Sequence, residues 1–122
     1  MITHTILIVE DEPGLLDLLS FHVQRGGFTV AQARDGLEAL RMLEEIHPHA
    51  VVLDLNLPHV TGFRILELIK RGANPIPVIA VTALSFEEAE EVARKGADAF
   101  MTKPVDFDEL NRLLHQILGS AP

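Results

Sequence analysis

Residues 50–58 read AVVLDLNLP. An uninterrupted aliphatic run of this kind predicts a strand covered on both faces, the habit of parallel sheets. Pro58 has no N–H to give to a ladder, so pairing ends before it. Asp54 therefore falls where a central strand leaves its sheet, at the rim where open α/β folds hold ligands. Taken alone, an Asp here serves equally well as a turn or cap residue. Its meaning depends on what the rest of the chain brings beside it.

The chain has 122 residues, a length for one domain with a real core, about residues 4–118. Hydrophobic residues make up 48% and aromatics 5%, so the core is aliphatic. No apolar run approaches the roughly 18 residues that span a bilayer. The start, MITHTILIVEDE, has no Lys or Arg and turns acidic after a short apolar run, unlike a signal peptide. The chain has no Cys, which excludes a disulfide framework or thiolate site and fits a cytoplasmic setting. A formal net charge of −8 argues against direct nucleic-acid binding by this domain. Gly119–Pro122 reads as a tail or the start of a linker.

Ile6–Val9 predicts a buried first strand, followed by the acids Glu10, Asp11 and Glu12 and then Pro13. Pro suits the first turn of a helix, and Asp11 or Glu12 suits its positive end. Leu15, Leu16, Leu19 and Val23 form that helix's apolar face, and Gly26-Gly27 ends it. Phe28–Ala31 predicts a short second strand. Asp35 and Glu38 open a helix with Leu37, Leu40, Leu43 and Ile46 inward. His47-Pro48-His49 reads as an exposed loop rather than a metal site. After Pro58 and a loop through Gly62, a third helix turns Phe63, Leu66 and Ile69 inward. Pro77–Thr82 predicts a fourth buried strand. Ser85 and Glu88 form a capping box for a helix with Ala89, Val92 and Ala93 inward. Ala97–Met101 is a fifth strand. Asp106 and Glu109 cap a last helix whose stripe is Leu110, Leu113, Leu114, Ile117 and Leu118, with Val105 placed to staple Leu110.

Five strands alternating with five helices imply a parallel sheet covered on both faces and joined by right-handed crossovers. All the strands' carboxyl ends then share one rim. Glu10 and Asp11, Asp54, Thr82 and Lys103 follow strands one, three, four and five, so residues distant in sequence converge. Each carboxylate pair costs about 4 kcal/mol at about 4 Å and an effective dielectric of about 20, so the cluster takes up protons or holds a cation. Oxygen ligands without Cys favour Mg²⁺. Mg²⁺ beside a Lys suggests phosphoryl chemistry. Neither a G-x-x-x-x-G-K-[ST] nor a G-x-G-x-x-G motif is present, which leaves a carboxylate as the candidate nucleophile.

From Ile6 to about Leu118 the chain resembles the receiver domains of bacterial two-component response regulators. The resemblance lies in the ordered set Glu10-Asp11, Asp54 with Pro58 and Gly62, Thr82-Ala83 and Lys103-Pro104. It implies a CheY-like, flavodoxin-like doubly wound fold with strand order 2-1-3-4-5. It also implies that Asp54 accepts a phosphoryl group from the phosphohistidine of a sensor histidine kinase or phosphotransfer protein. Asp11, Asp54 and the backbone carbonyl of Asn56 would bind Mg²⁺, with Glu10 acting directly or through water. Thr82, Ala83 and Lys103 would meet the phosphoryl oxygens. The Lys103–Pro104 peptide bond is usually cis in that family. Thr82 and Phe100 would form the conformational switch. With Phe in place of Tyr, burying the ring leaves no hydroxyl unpaired, so a weaker outward preference is expected.

The only catalysis implied is of the domain's own phosphorylation and dephosphorylation. The signal would pass to a downstream protein or a C-terminal output domain. The acid and Arg that pair receivers of winged-helix transcription factors align with Ala99 and Leu113, which disfavours that dimer. Two alternatives are a degenerate receiver that binds partners without phosphorylation and a haloacid-dehalogenase-type phosphohydrolase. The first is opposed by the intact acids, Thr82 and Lys103. The second wants an Asp where Asn56 stands.

Overall fold

A computed structural model describes residues 3–83 and 85–119. Five strands alternate with five helices among them. These are β1 (Thr5–Val9), α1 (Pro13–Arg25), β2 (Thr29–Ala33), α2 (Gly36–Ile46), β3 (Ala50–Asp54), α3 (Gly62–Arg71), β4 (Val78–Thr82), α4 (Phe86–Arg94), β5 (Ala99–Thr102) and α5 (Phe107–Leu118). The strands form one parallel sheet in the order β2-β1-β3-β4-β5. β1, β3 and β4 form its middle, and every residue of β3 and β4 is buried, which explains their unbroken aliphatic runs.

Alternate strand residues face opposite layers. Leu7, Val9, Val51, Leu53 and Ala80 pack under α2, α3 and α4 with Ala39, Ile65, Leu66, Ile69 and Val92. Ile6, Ile8, Val52, Ile79 and Val81 pack under α1 and α5 with Leu16, Leu19, Val23, Leu110 and Leu114. The doubly wound arrangement expected from the alternation is the one found.

Local differences have local causes. β2 begins after Phe28 and runs to Ala33, because Phe28 N–H still bonds Val23 O at the end of α1 and Ala33 pairs with Val9. β5 runs from Ala99 to Thr102. Ala97 N–H is held by Val92 O, while the Asp98 carboxylate accepts from Lys70 Nζ and Val78 N–H. In α2, Leu37 is 66% exposed, and Gly36 and Ala39 are the buried residues. The start of α2 packs closely on the loop before α3, since a Cβ on Gly36 would stand 2.6 Å from Val60 Cβ. Ala93 is exposed, leaving Ala89 and Val92 as the buried side chains of α4. Gly119 caps α5 in the left-handed conformation, and the remaining tail residues 120–122 lie outside the described residues. No helix of the described residues is long and apolar enough to cross a membrane.

Candidate functional site

Asp54 is the last residue of β3 and is 2% exposed. The chain then turns, with Asn56 N–H donating to Asp54 Oδ1 at 2.9 Å, and returns into α3. Thr61 caps that helix by accepting from Arg64 N–H. Gly62 makes the tight return possible: a Cβ there would lie 2.4 Å from Asp54 O and from Leu55 Cα.

Glu10 follows β1 and is 1% exposed, while Asp11 beside it is exposed. Ligand oxygens of Glu10, Asp11 and Asp54 lie within 4.8 Å of one another. The turn into α1 is not capped by Asp11 or Glu12. Glu12 occupies the cap position without a side-chain cap bond, and its own N–H donates to Glu10 Oε2 at 3.1 Å. Glu10 Oε2 thus satisfies one backbone donor at the start of α1, so one acid serves both the helix and the rim.

Lys103 follows β5, and its peptide bond to Pro104 is cis. Its Nζ lies 3.5 Å from Asp54 Oδ2 and 3.2 Å from Glu10 Oε1. The contact to Glu10 is an ion pair whose angle falls short of a hydrogen bond, so Glu10 Oε1 is a buried acceptor without one. Burial pushes the Glu10 carboxyl up to about 7, with the Asp54 charge adding to it, while the Glu12 N–H and the Lys103 ammonium pull the other way. Burial alone would lower the Lys103 ammonium. The charges of Asp54 and Glu10 outweigh it and hold Lys103 above its ordinary value.

Thr82 ends β4 and is wholly buried; Ala83, next to it, is exposed. Thr82 Oγ1 accepts a hydrogen bond from Asn56 Nδ2 at 3.2 Å. Phe100 lies in β5, across from Ala80, with its ring outward and 45% exposed. The structure thus gathers Glu10, Asp11, Asp54, Asn56, Thr82 and Lys103 on one rim. Asn56 contributes more than its backbone carbonyl. An Asp-x-Asn leaving a strand signals the Asx turn, but nothing in one dimension says that the amide reaches the next strand.

The donor set is all oxygen, held by two buried acids and one exposed acid, with one buried acceptor lacking a hydrogen bond. That set fits a hard divalent cation. In the loop before β3, His49 Nδ1 accepts from Thr5 N–H.

Comparison with known proteins agrees with this geometry. The response regulator receiver domain family matches residues 6–115. DivK of Brucella ovis, a polar-differentiation response regulator, is 33% identical over 122 residues, covering 98% of this chain and 99% of DivK. RpaA of Synechocystis sp., a DNA-binding dual master transcriptional regulator, is 35% identical over 108 residues, but the matched region is 45% of its length, so this chain spans under half of that relative. The signal receiver domain of a LuxO repressor protein from Vibrio parahaemolyticus superposes with a TM-score of 0.91 at 29% identity, covering 97% of this chain and 92% of that one. The receiver domain of the sensor histidine kinase PA1611 from Pseudomonas aeruginosa, solved with a magnesium ion in its active-site cleft, gives 0.87 at 29% identity, covering 98% of this chain and 100% of that one. Sequence, fold and rim agree, and the chain belongs to the response regulator receiver domain family.

Proposed function

We propose that Asp54 is the phosphoacceptor, taking its phosphoryl group from the phosphohistidine of a histidine kinase or phosphotransfer protein. An Asp54 carboxylate oxygen attacks phosphorus as the P–N bond breaks. The bonding pair returns to the donor imidazole, which ends neutral after taking up a proton, and an acyl phosphate remains on Asp54. The observation that carries this reading is the burial of Asp54 at the end of a central strand with Lys103 Nζ 3.5 Å from its Oδ2. Lys103 meets the transferring oxygens, and Ala83 N–H and the Thr82 hydroxyl supply donors beside it.

Glu10, Asp11, Asp54 and the Asn56 carbonyl would hold Mg²⁺, as the magnesium in the PA1611 receiver encourages. The ion supplies charge neutralisation for the incoming phosphoryl group. Thr82 and Phe100 act as the switch: better contacts to the phosphoryl group in one arrangement draw Thr82 toward Asp54 and the ring inward, a shift of population. The outward ring is the arrangement this reading assigns to the unphosphorylated form. Residues 1–122 act as a single receiver, with 119–122 as tail or linker, in a cytoplasmic setting, and pass the signal to a downstream protein or an output domain.

Acetyl phosphate with Mg²⁺, followed by mass spectrometry, tests the assignment. A labile phosphoryl adduct is expected on the wild type and absent in Asp54→Asn. No adduct on the wild type would favour a receiver that binds partners without phosphorylation. Rapid turnover of varied phosphate esters would favour a phosphohydrolase.

A further inference from the structure

Asn56 touches both the proposed phosphoacceptor and the proposed switch hydroxyl. Its backbone N–H donates to Asp54 Oδ1 at 2.9 Å, and its side-chain Nδ2 donates to Thr82 Oγ1 at 3.2 Å. Thr82 is wholly buried, whereas Asn56 is exposed in the loop between β3 and α3. A buried hydroxyl needs a partner, and the one the structure gives it is this amide. We infer that the Asn56 side chain is a positioning residue that holds the Thr82 hydroxyl in its unphosphorylated place and so sets how readily the switch turns. The inference rests on reading Asp54 as the phosphoacceptor and Thr82 as the switch hydroxyl.

Accepting from Asn56 uses one lone pair of Thr82 Oγ1 and leaves its proton free, so the bond fixes where the oxygen sits without consuming the donor the phosphoryl group requires. At 3.2 Å the bond is already at the long end of the normal range, so a modest movement of the hydroxyl away from the amide breaks it. The released amide is exposed and regains water. The net loss is therefore small, worth a factor of about two to ten in the switch equilibrium. That size makes the contact an adjustable bias rather than a block. Because the Asn56 N–H is anchored on Asp54 itself, a change at that carboxylate also alters the support of the loop carrying the amide.

Beryllofluoride, titrated into the full chain at saturating Mg²⁺ and followed by the Phe100 ring resonances, supplies the test. Asn56→Ala is expected to lower the half-saturating concentration by about two- to tenfold. It should also move the ring resonances of the analogue-free protein toward their bound positions. In a Thr82→Ala background the same substitution should change the midpoint less than twofold, because the group it acts through is gone. An unchanged or raised midpoint in Asn56→Ala would overturn the inference, as would an effect that persists undiminished without the Thr82 hydroxyl. Wild type behaving like Asp54→Asn, with no analogue taken up, would overturn the phosphoacceptor reading and the inference with it. That result is visible before any Asn56 variant is compared.

Discussion

Glu10 is held in a place that suits its neutral form. Its carboxyl is pushed up to about 7 from the ordinary 4.5, chiefly by burial and further by Asp54. In the unfolded chain the proton leaves near 4.5, so between there and 7 the folded state binds more protons. The resulting cost to stability is absent below about pH 4.5, grows as pH rises and is complete above about pH 7. Lys103 stays charged throughout that window, since it is held above 10.5, and does not alter the sign. Glu10→Gln, whose amide oxygen can still accept from Glu12 N–H, should therefore melt higher than wild type at pH 8 in EDTA, by about 1–3 kcal/mol. The gain should fade toward pH 5. A variant that melts lower at pH 8 would mean that the ion pair with Lys103 outweighs burial. The acids, Thr82 and Lys103 were legible in the sequence because each lies at or just beyond the end of an expected strand. The Asn56 amide was not, since its reach to Thr82 depends on two strands lying side by side.

Helix α3 carries the constraint that keeps Asp54 in place. Its first residue, Gly62, packs against backbone atoms of Asp54 and Leu55, which cannot swing aside as a long side chain would. Gly62→Ala should force the helix start away from the end of β3 and cost about 1–3 kcal/mol, as overpacking does. Beryllofluoride binding should weaken with it, because the Asp54 turn moves. Gly14→Ala, in the first turn of α1 with nothing within 4 Å of the new Cβ, is the control. It should leave stability unchanged or raise it by about 0.5–1 kcal/mol. Equal destabilisation by both in chemical denaturation would remove the packing argument. Apolar spacing revealed all the helices, but assigned Leu37 and Ala93 to the interior when both are exposed. Periodicity locates a stripe; it does not register how closely a backbone approaches, and in α2 the fully buried residues are the small Gly36 and Ala39, with Met42 and Leu43 packed partly buried beside them.

Strand-helix alternation establishes a parallel sheet and one shared rim, but it does not say which strand is central. The order β2-β1-β3-β4-β5 followed from family resemblance and is the order found. It places β1 beside β3, and so brings Glu10 and Asp11 to Asp54. Folding therefore assembles a site that the unfolded chain lacks, and a cation bound there stabilises the whole molecule by mass action. At ten times its dissociation constant, Mg²⁺ should add about 1.4 kcal/mol, raising the thermal midpoint by about 5 °C. Filling the site must take the proton from Glu10, so the apparent affinity should fall as pH drops below about 7 and level off above it. The formal charge of −8 gives any salt a general screening effect, so the comparison belongs at constant ionic strength. Asp54→Asn should lose most of the Mg²⁺ increment while remaining folded. A midpoint that rises equally with Mg²⁺ in wild type and Asp54→Asn, or an affinity flat from pH 6 to pH 8, would place the ion's effect elsewhere on this acidic surface and leave the rim without its metal.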